Sequence, residues 1–263
     1  MSAESFRQNM NIGMLPAEAR GIVALDDMTR ADSEGMLAEI GQYFGMAKEN
    51  ANAQSKGWAD AVRRAKQHEL PLMADAKYHD TPRTMASCIE TDTLDGARVI
   101  TVHTSADLEA LTACVETRDA TRIKMRNNGR RFDPFVGSLF GITILTSIND
   151  ERCRVIYGMP LKEKVMQLAR LAVVAKLEGI VCAGSDLAEL QSDPDTSRLV
   201  KIVPGMVLSG SPKTTGQQRT MSPREAILEG ADYLVAGSTV TKAPLRLEAA
   251  QRFAQEIAEG LGH

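Results

Sequence analysis

The sequence predicts a single α/β domain, a (β/α)8 TIM barrel over residues 21–263, with a short N-terminal extension over residues 1–20. Eight short apolar runs alternate with helical patterns, which is typical of parallel strands that helices cover. The length of 263 residues suits one such barrel. The main alternative is a doubly wound open sheet. No GxGxxG pattern follows the first strand, which weakens the dinucleotide-binding form of that fold.

The predicted strands are short and apolar because parallel strands in such folds are buried on both faces. The first strand ends in the acid Asp26, and the third ends in charged residues at Lys77. The seventh ends in Pro204 and Gly205, and the eighth ends in Gly237. The eight predicted strands cover residues 21–26, 43–47, 70–77, 97–103, 137–147, 179–183, 199–205 and 233–237.

Capping residues predict where several helices begin. Thr29 or Asp32 caps the helix after the first strand, and Ser222 opens a capping box before the last strand. Thr81 and Pro82 suit the start of the helix after the third strand. The polar extension is expected to form one short helix over the bottom of the barrel. The other predicted helices cover residues 58–68, 82–91, 106–117, 161–177 and 245–261.

The composition is that of a soluble globular protein, 43% hydrophobic and 25% charged, with a net charge of −3. This balance does not favour nucleic acid or an anionic membrane as a partner. The four cysteines form no CxxC or CxxH pair, so we expect reduced thiols and no zinc site. The first residues lack the apolar core of a signal peptide, and no apolar run is long enough to cross a bilayer. We therefore expect a cytoplasmic protein.

The segment from residue 73 to residue 84 carries the clearest chemistry. Asp75 and Lys77 lie two residues apart on a predicted strand, so their side chains point to the same face. Asp80 follows in the next loop. Opposite charges gathered at a strand end hold each other ionised, and an ammonium there can later give up a proton. The segment therefore predicts a site for proton transfer.

Active sites of (β/α)8 barrels lie at the carboxyl ends of the strands. A helix cap or a satisfied core group would explain any one polar strand end alone. The convergence of many such residues on one face favours a functional site. The residues at the predicted strand ends are Asp26, Asp75, Lys77, Asp80, His103, Thr146, Ser147, Pro204, Gly205 and Gly237.

Motifs along residues 21–257 resemble the orotidine 5'-monophosphate decarboxylase family. The family's pattern Asp-x-Lys-x-x-Asp-x-Pro-x-Thr is present from Asp75 to Thr84. Further motifs follow in the family's order, each on the expected element, which identifies the chain as a divergent member. These further segments are residues 142–147, 204–205, 216–223 and 230–237.

The resemblance implies a decarboxylation of a pyrimidine nucleotide that needs neither a cofactor nor a metal. By position, Asp75 would repel the substrate carboxylate, and Lys77 would stabilise the carbanion and then protonate it. Asp80 and Thr84 would reach across the interface of a homodimer into the partner's site. Repulsion between like charges in a closed site is unfavourable, and contacts with the substrate's phosphate could offset it.

The resemblance also implies how the substrate is held. Asp26 would bind the ribose hydroxyls, and Ser147 would hydrogen-bond the pyrimidine. Gln218, with backbone N–H groups near Gly205 and Gly237, would hold the phosphate. Further substrate-binding candidates, from their places at or after strand ends, are His103, Pro204 and Ser238.

A lysine that the family carries on its second strand has no clear counterpart. Aligning Ala47-Lys48-Glu49 with the family's Gly-Lys-Glu puts Gly45 at that position. Strand alternation turns Lys48 away from the face that residues 43, 45 and 47 share. We therefore expect the lysine to be lost, although a bulge could turn Lys48 inward.

A second departure lies in the phosphate site. After the glycine of the eighth strand the family has an arginine, and here Ser238 follows Gly237. A serine and backbone amides can still hold a phosphate, but without the bidentate charge. Arg219, Lys213 or Lys242 could substitute from neighbouring loops. The two departures together predict weak or absent turnover of orotidine monophosphate.

Three functions remain open from the sequence. The first is decarboxylation of orotidine monophosphate or a close pyrimidine nucleotide. The second is a paralogous enzyme with a less phosphorylated substrate, favoured by Gly45 and Ser238. The third is a non-catalytic nucleotide-binding barrel that keeps its charges only as an ion network.

Basic residues gather in a segment predicted to be irregular, residues 118–136. The segment joins a helix to the next strand, so it is expected on the amino-terminal face, away from the site. A solvated loop or a subunit contact explains it better than a nucleic-acid surface. His79 and His103 are expected to be hydrogen-bonded groups and not metal ligands, because no further histidine or carboxylate cluster completes a coordination set.

Overall fold

The chain folds as a closed barrel of eight parallel strands, and the computed structural model describes residues 3–50, 57–129, 133–210 and 220–262. The strands are β1 (Gly21–Ala24), β2 (Met46–Asn50), β3 (Leu72–Tyr78), β4 (Val99–His103), β5 (Ser138–Ile142), β6 (Gly179–Val181), β7 (Val200–Val203) and β8 (Tyr233–Ala236). Each strand pairs in parallel with the next, and β8 pairs with β1 to close the barrel. The predicted fold class is therefore confirmed.

Helices cover the outside of the barrel. The predicted caps form, since the Thr29 hydroxyl accepts the N–H of Asp32 and Ser222 forms a capping box with Glu225. In the described ranges, no helix is long and apolar enough to cross a membrane. The α-helices there are α1 (Ala3–Asn9), α2 (Arg30–Ile40), α3 (Trp58–Gln67), α4 (Pro82–Asp95), α5 (Leu108–Asn127), α6 (Asp150–Tyr157), α7 (Leu161–Val174), α8 (Leu187–Ser192), α9 (Pro223–Leu228), α10 (Ser238–Thr241) and α11 (Arg246–Leu261).

The N-terminal helix α1 packs against the amino-terminal end of the barrel. Phe6 is buried there and meets the rings of Phe135 and Phe140 edge to face, with centroids 5.3 and 6.0 Å away. Arg7 donates two hydrogen bonds of 2.6 Å to Asp232, just before β8. The helix thus joins the apolar cluster inside the barrel to the last strand of the sheet.

Two strands differ from their predicted bounds by three residues or more at one end or both, and the other six differ by one or two residues. Residues 41–43 form a 3-10 turn, so β2 begins at Met46, three residues after its predicted start at Tyr43. Gly45 lies before the strand, where an added Cβ would be 2.3 Å from the carbonyl oxygen of Ala19. The fifth strand is shorter than predicted, because β5 ends at Ile142 and the chain then turns away.

The basic segment is mostly helical and partly buried. α5 runs through it, and Arg118 lies fully buried with its Nη1 2.5 Å from Oε1 of Glu178. Arg122 has its Nη1 3.7 Å from the same carboxylate oxygen. The predicted solvated loop or subunit contact is therefore wrong for these two arginines, which tie α5 to the start of β6. Arg130 and Arg131 lie outside the described residues.

A buried carboxyl group sits behind the charged end of β3. Tyr78, the last residue of that strand, donates a hydrogen bond of 2.8 Å from its hydroxyl to Asp92 on α4. Asp92 is only 3% exposed. Burial raises the pKa of Asp92 to about 7, although the Tyr78 hydrogen bond acts in the opposite direction. The carboxyl group is thus protonated in the folded protein over much of the acidic range.

We expect Asp92→Asn to change how stability depends on pH. Between about pH 4 and pH 7 the folded state binds more protons at Asp92 than the unfolded state does, so the free energy of unfolding falls as pH rises through this window. The asparagine removes that fall. Relative to the wild type, the variant should gain on the order of a few kcal/mol between pH 5 and pH 8.

Urea unfolding at several pH values measures the effect. The exposed Glu116→Gln on α5 is the matched control, and its pH profile should follow that of the wild type. Parallel profiles for Asp92→Asn and the wild type would show that Asp92 does not titrate as its burial requires.

Candidate active site

A cavity of about 220 Å³ opens at the carboxyl ends of the strands. Apolar side chains from β3, β5, β6 and β8 form part of its wall, and charged residues from β2, β3 and the end of β1 also line it. The lining residues are Ala24, Asp26, Lys48, Met73, Asp75, Lys77, Ile142, Ile144, Leu145, Thr146, Val181, Pro204, Gly205, Met206, Val235, Gly237 and Ser238.

Lys48 points into this cavity and bridges two carboxylates. Its Nζ lies 2.6 and 2.7 Å from the two carboxylate oxygens of Asp26, and 3.1 Å from Oδ2 of Asp75. Its side chain is only 7% exposed. Met46 packs in the apolar cluster inside the barrel, and alternation along β2 points Lys48, two residues later, to the same side without a bulge. The prediction that Gly45 replaces a lost lysine is therefore wrong.

Asp75 is held between two ammonium groups. Its Oδ2 accepts from Lys48 and also lies 2.6 Å from Nζ of Lys77. Its Oδ1 accepts a hydrogen bond of 3.0 Å from the hydroxyl of Thr101 on β4. Thr101 was not among the predicted site residues, because a threonine within an apolar strand gives no signal that sets it apart from other core residues.

Lys77 has an unusual backbone conformation, with a φ of 54° in the left-handed region. Such a conformation costs about 1 kcal/mol or more in a residue with a side chain, and it persists only where the surroundings hold it. The pairing of β3 with β4 shifts register between Ala74 and Tyr78, which marks an irregularity at the same place. Asp75 and Lys77 do come together as predicted, but the backbone between them is irregular and not that of a regular strand.

The charges of this cluster hold one another ionised. Burial acts to raise the pKa of Asp75, but the ammonium groups of Lys48 and Lys77 outweigh it, and the net direction is downward. Burial likewise acts to lower the pKa of Lys48, and the carboxylates of Asp75 and Asp26 reverse the direction. The shifts of Asp75 and Lys48 therefore both favour the charged forms of the two side chains at the edge of the cavity.

Comparison with known proteins assigns the chain to a family. A sequence model of the Orotidine 5'-phosphate decarboxylase / HUMPS family matches residues 20–253. The chain belongs to this family. Membership agrees with the geometry, since the motif that carried the resemblance supplies Asp75 and Lys77 to the cavity.

Relatives in the family cover nearly the whole chain. The chain is 30% identical over 251 residues to the orotidine 5'-phosphate decarboxylase of Heliobacterium modesticaldum. The aligned region covers 94% of this chain and 99% of that protein. It is 30% identical over 243 residues to the enzyme of the same name from Moorella thermoacetica, covering 92% of this chain and 93% of that protein. These relatives support the prediction that the chain is a carbon–carbon lyase of the decarboxylase type.

Solved structures agree on the fold. The crystal structure of orotidine 5'-phosphate decarboxylase from Lactobacillus acidophilus superposes with a TM-score of 0.71 at 21% identity, covering 90% of this chain and 97% of that one. An uncharacterized conserved protein from Geobacillus kaustophilus superposes with a TM-score of 0.72 at 23% identity, covering 90% and 99% of the two chains.

Several predicted site residues line the cavity away from the charged cluster. Pro204 and Gly205 follow β7, and Gly237 and Ser238 follow β8. In the closed barrel these two strands lie across from β3, which carries Lys77, and β4. Ser238 is the first residue of the short helix α10 and is exposed. Gln218, the expected phosphate ligand, lies outside the described residues, as do Lys213 and Arg219.

Other predicted residues are not among the described residues that line the cavity. Asp80 and Thr84 are exposed at the start of α4, where the N–H of Thr81 donates to Asp80 at 2.6 Å. That backbone hydrogen bond is the main reason why the pKa of Asp80 is lowered. Ser147 is exposed in the loop after β5, while its neighbour Thr146 reaches the cavity.

His103 ends β4 and packs edge to face against His79, with ring centroids 5.7 Å apart. Burial lowers the pKa of His103 to about 4, and the nearby positive groups act in the same direction. The imidazole is therefore neutral at physiological pH. Within the described ranges, no group of three or more His, Cys, Asp or Glu side chains is placed to hold a metal ion.

We expect Lys48→Met to raise the pKa of Asp75. The variant removes one of the two ammonium groups that stabilise the Asp75 carboxylate, and loss of such a charge raises a carboxyl pKa by about one unit or more. Carbon-13 NMR of protein with labelled aspartate carboxyls measures this directly. Lys66→Met, at an exposed position on α3, is the matched control. An Asp75 titration that is the same in all three proteins would contradict the geometry.

Proposed function

We propose that this chain decarboxylates orotidine 5'-monophosphate, or a close analogue, to the corresponding uridine nucleotide, as a step of pyrimidine nucleotide biosynthesis. The observation that carries the proposal is the Asp75 carboxylate at the edge of the cavity, flanked by Nζ of Lys77 at 2.6 Å and Nζ of Lys48 at 3.1 Å. The relatives that match along nearly the whole chain are named orotidine 5'-phosphate decarboxylases, which supports the same reaction.

The cluster supplies what such a decarboxylation needs. The substrate carboxylate would lie against Asp75, and the repulsion between the two anions is relieved as carbon dioxide leaves. The bond between the ring carbon and the carboxyl carbon breaks, and its electron pair stays on the ring carbon. The Lys77 ammonium stabilises this carbanion and then transfers a proton to it, which leaves a neutral amine to be reprotonated from solvent.

The remaining groups would hold the nucleotide in place. Asp26 keeps about a third of its side chain exposed while it binds Lys48, so its carboxylate can also accept hydrogen bonds from ribose hydroxyls. Backbone N–H groups near Gly205 and Gly237, with Ser238 and Gln218, would bind the phosphate. The apolar side chains that line the cavity around β5 and β6 suit a flat pyrimidine ring.

We propose that the active enzyme is a homodimer with a shared site. Asp80 and Thr84 belong to the same motif as Asp75 and Lys77, yet both are exposed and outside the cavity of their own chain. A partner chain that contacts this surface would bring the Asp80 carboxylate towards the partner's Lys77. Size-exclusion chromatography with light scattering measures the assembly state.

We expect the wild type to turn over orotidine 5'-monophosphate and Lys77→Ala to lose at least about a hundredfold in kcat, because the variant has no proton donor at the carbanion. An absorbance assay of the pyrimidine follows the reaction. Lys66→Ala on the exposed face of α3 is the matched control and should keep wild-type kinetics. Wild-type protein without turnover would overturn the proposal, and an active Lys77→Ala would remove Lys77 from the proton-donor role.

A second candidate is a paralogous enzyme whose substrate carries less phosphate. Of the two departures that favoured it, the loss at Gly45 is wrong, and only Ser238 remains. The expectation of weak turnover rested on the same two departures, so it now depends on Ser238 alone. A missing phosphate contact weakens binding of substrate and transition state alike, so its effect should appear in KM more than in kcat.

The variant Ser238→Arg separates the two candidates. If the substrate is the nucleotide, the arginine adds a bidentate contact to the phosphate, and KM for orotidine 5'-monophosphate should fall about tenfold with kcat little changed. Thermal-shift measurements with uridine monophosphate, uridine and orotate are the companion readout. Stronger stabilisation by uridine than by its monophosphate favours the second candidate. No stabilisation by any of these ligands favours a non-catalytic barrel.

A further inference from the structure

The backbone around Lys77 has lost its regular partner on the neighbouring strand. Ala74 pairs with Ile100, and Tyr78 pairs with Val102, so the three residues from Asp75 to Lys77 stand opposite the single residue Thr101. In a regular parallel pair one residue would stand there. The two extra residues form a bulge, and the left-handed φ of Lys77 lies within it.

Thr101 fills the gap that this bulge leaves. It is fully buried in the middle of β4, and its Oγ1 accepts the backbone N–H of Lys77 at 2.9 Å. The same oxygen donates its proton to Oδ1 of Asp75 at 3.0 Å. An N–H can only donate and an ionised carboxylate can only accept, so the direction of both hydrogen bonds is fixed. One hydroxyl thus joins the backbone of Lys77 to the side chain of Asp75.

We propose that Thr101 is a positioning residue for the reaction, whose hydroxyl fixes the Asp75 carboxylate and the Lys77 backbone relative to each other. Asp75 then has both oxygens committed, Oδ1 to Thr101 and Oδ2 to the two lysines, so its carboxylate cannot rotate freely. The N–H contact holds the bulge in the conformation that turns Lys77 towards the cavity.

The catalytic consequence rests on the proposed function, in which Asp75 faces the substrate carboxylate and Lys77 faces the carbanion. Small misplacements of such groups reduce the rate strongly, because the stabilising charges must be in place before the reaction begins. The effect of the hydroxyl on Asp75 does not depend on that function, so it can be measured without any substrate.

The test compares Thr101→Val, which keeps the shape and removes the hydroxyl, with Thr101→Ser, which keeps the hydroxyl. For Thr101→Val we expect kcat on orotidine 5'-monophosphate to fall by about a hundredfold while KM changes only a few-fold. Thr101→Ser should recover most of that loss. Thr121→Val is the matched control, since Thr121 is also buried, its hydroxyl donates to the carbonyl oxygen of Thr117 on the same helix, and it is not among the residues that line the cavity.

A substrate-free readout makes the result independent of the proposed function. Carbon-13 NMR of labelled aspartate carboxyls should show the pKa of Asp75 rising in Thr101→Val and returning towards the wild-type value in Thr101→Ser, because a lost donor disfavours the carboxylate. If the wild type does not turn over orotidine 5'-monophosphate, the proposed function fails, and this titration still decides whether the hydroxyl acts on Asp75.

Two outcomes would overturn the inference. In the first, Thr101→Val keeps both the wild-type kcat and the wild-type titration of Asp75. In the second, Thr101→Val and Thr101→Ser lose activity equally, which would show that keeping the hydroxyl does not restore the reaction. If Thr101→Val does not fold, Thr101→Ala replaces it under the same two criteria.

Discussion

The attraction of two ammonium groups for one buried carboxylate is the interaction on which the site depends. A carboxylate as enclosed as Asp75 is unstable without compensation, and Lys48 and Lys77 provide that compensation from two different strands. Asp26 in turn balances the charge of Lys48. The cluster of Asp26, Lys48, Asp75 and Lys77 therefore pairs two acidic with two basic side chains. This arrangement keeps a buried carboxylate at the edge of the cavity without destabilising the barrel.

The closed sheet brings these charged side chains together at one end of the barrel. β1, β2, β3 and β4 are consecutive neighbours, and their parallel direction places all their carboxyl ends on the same side. Lys48 on β2 stands beside Met73 on β3, two residues before Asp75, so its long side chain spans the step to the carboxylate. The order of the strands in the chain thus becomes the order of the charges around the cavity.

The fold was predictable because a short apolar run followed by a helical pattern recurs along the chain, once for each of the eight strands. Asp75 and Lys77 were predictable because a single short segment contains both. Lys48 was misjudged because the face that residues 43, 45 and 47 share was taken to point inward, whereas Met46 packs inside the barrel and Ala47 packs in the other apolar cluster. The partner of Arg118 is Glu178, 60 residues away in the sequence, and no local pattern could indicate a pairing of that kind.

The bidentate contact between Arg7 and Asp232 has a consequence for how the chain reaches its native state. The two residues are separated by 225 positions, and the pairing of β1 with β8 spans nearly the same distance. During synthesis on the ribosome, neither contact can form until the last strand has emerged. Until then β1 has an unpaired edge, and the apolar interior that Phe6 covers remains open on one side. Contacts of such long sequence separation slow folding and prolong the exposure of strand edges. The nascent barrel is therefore open to aggregation until the pairing of β1 with β8 closes it.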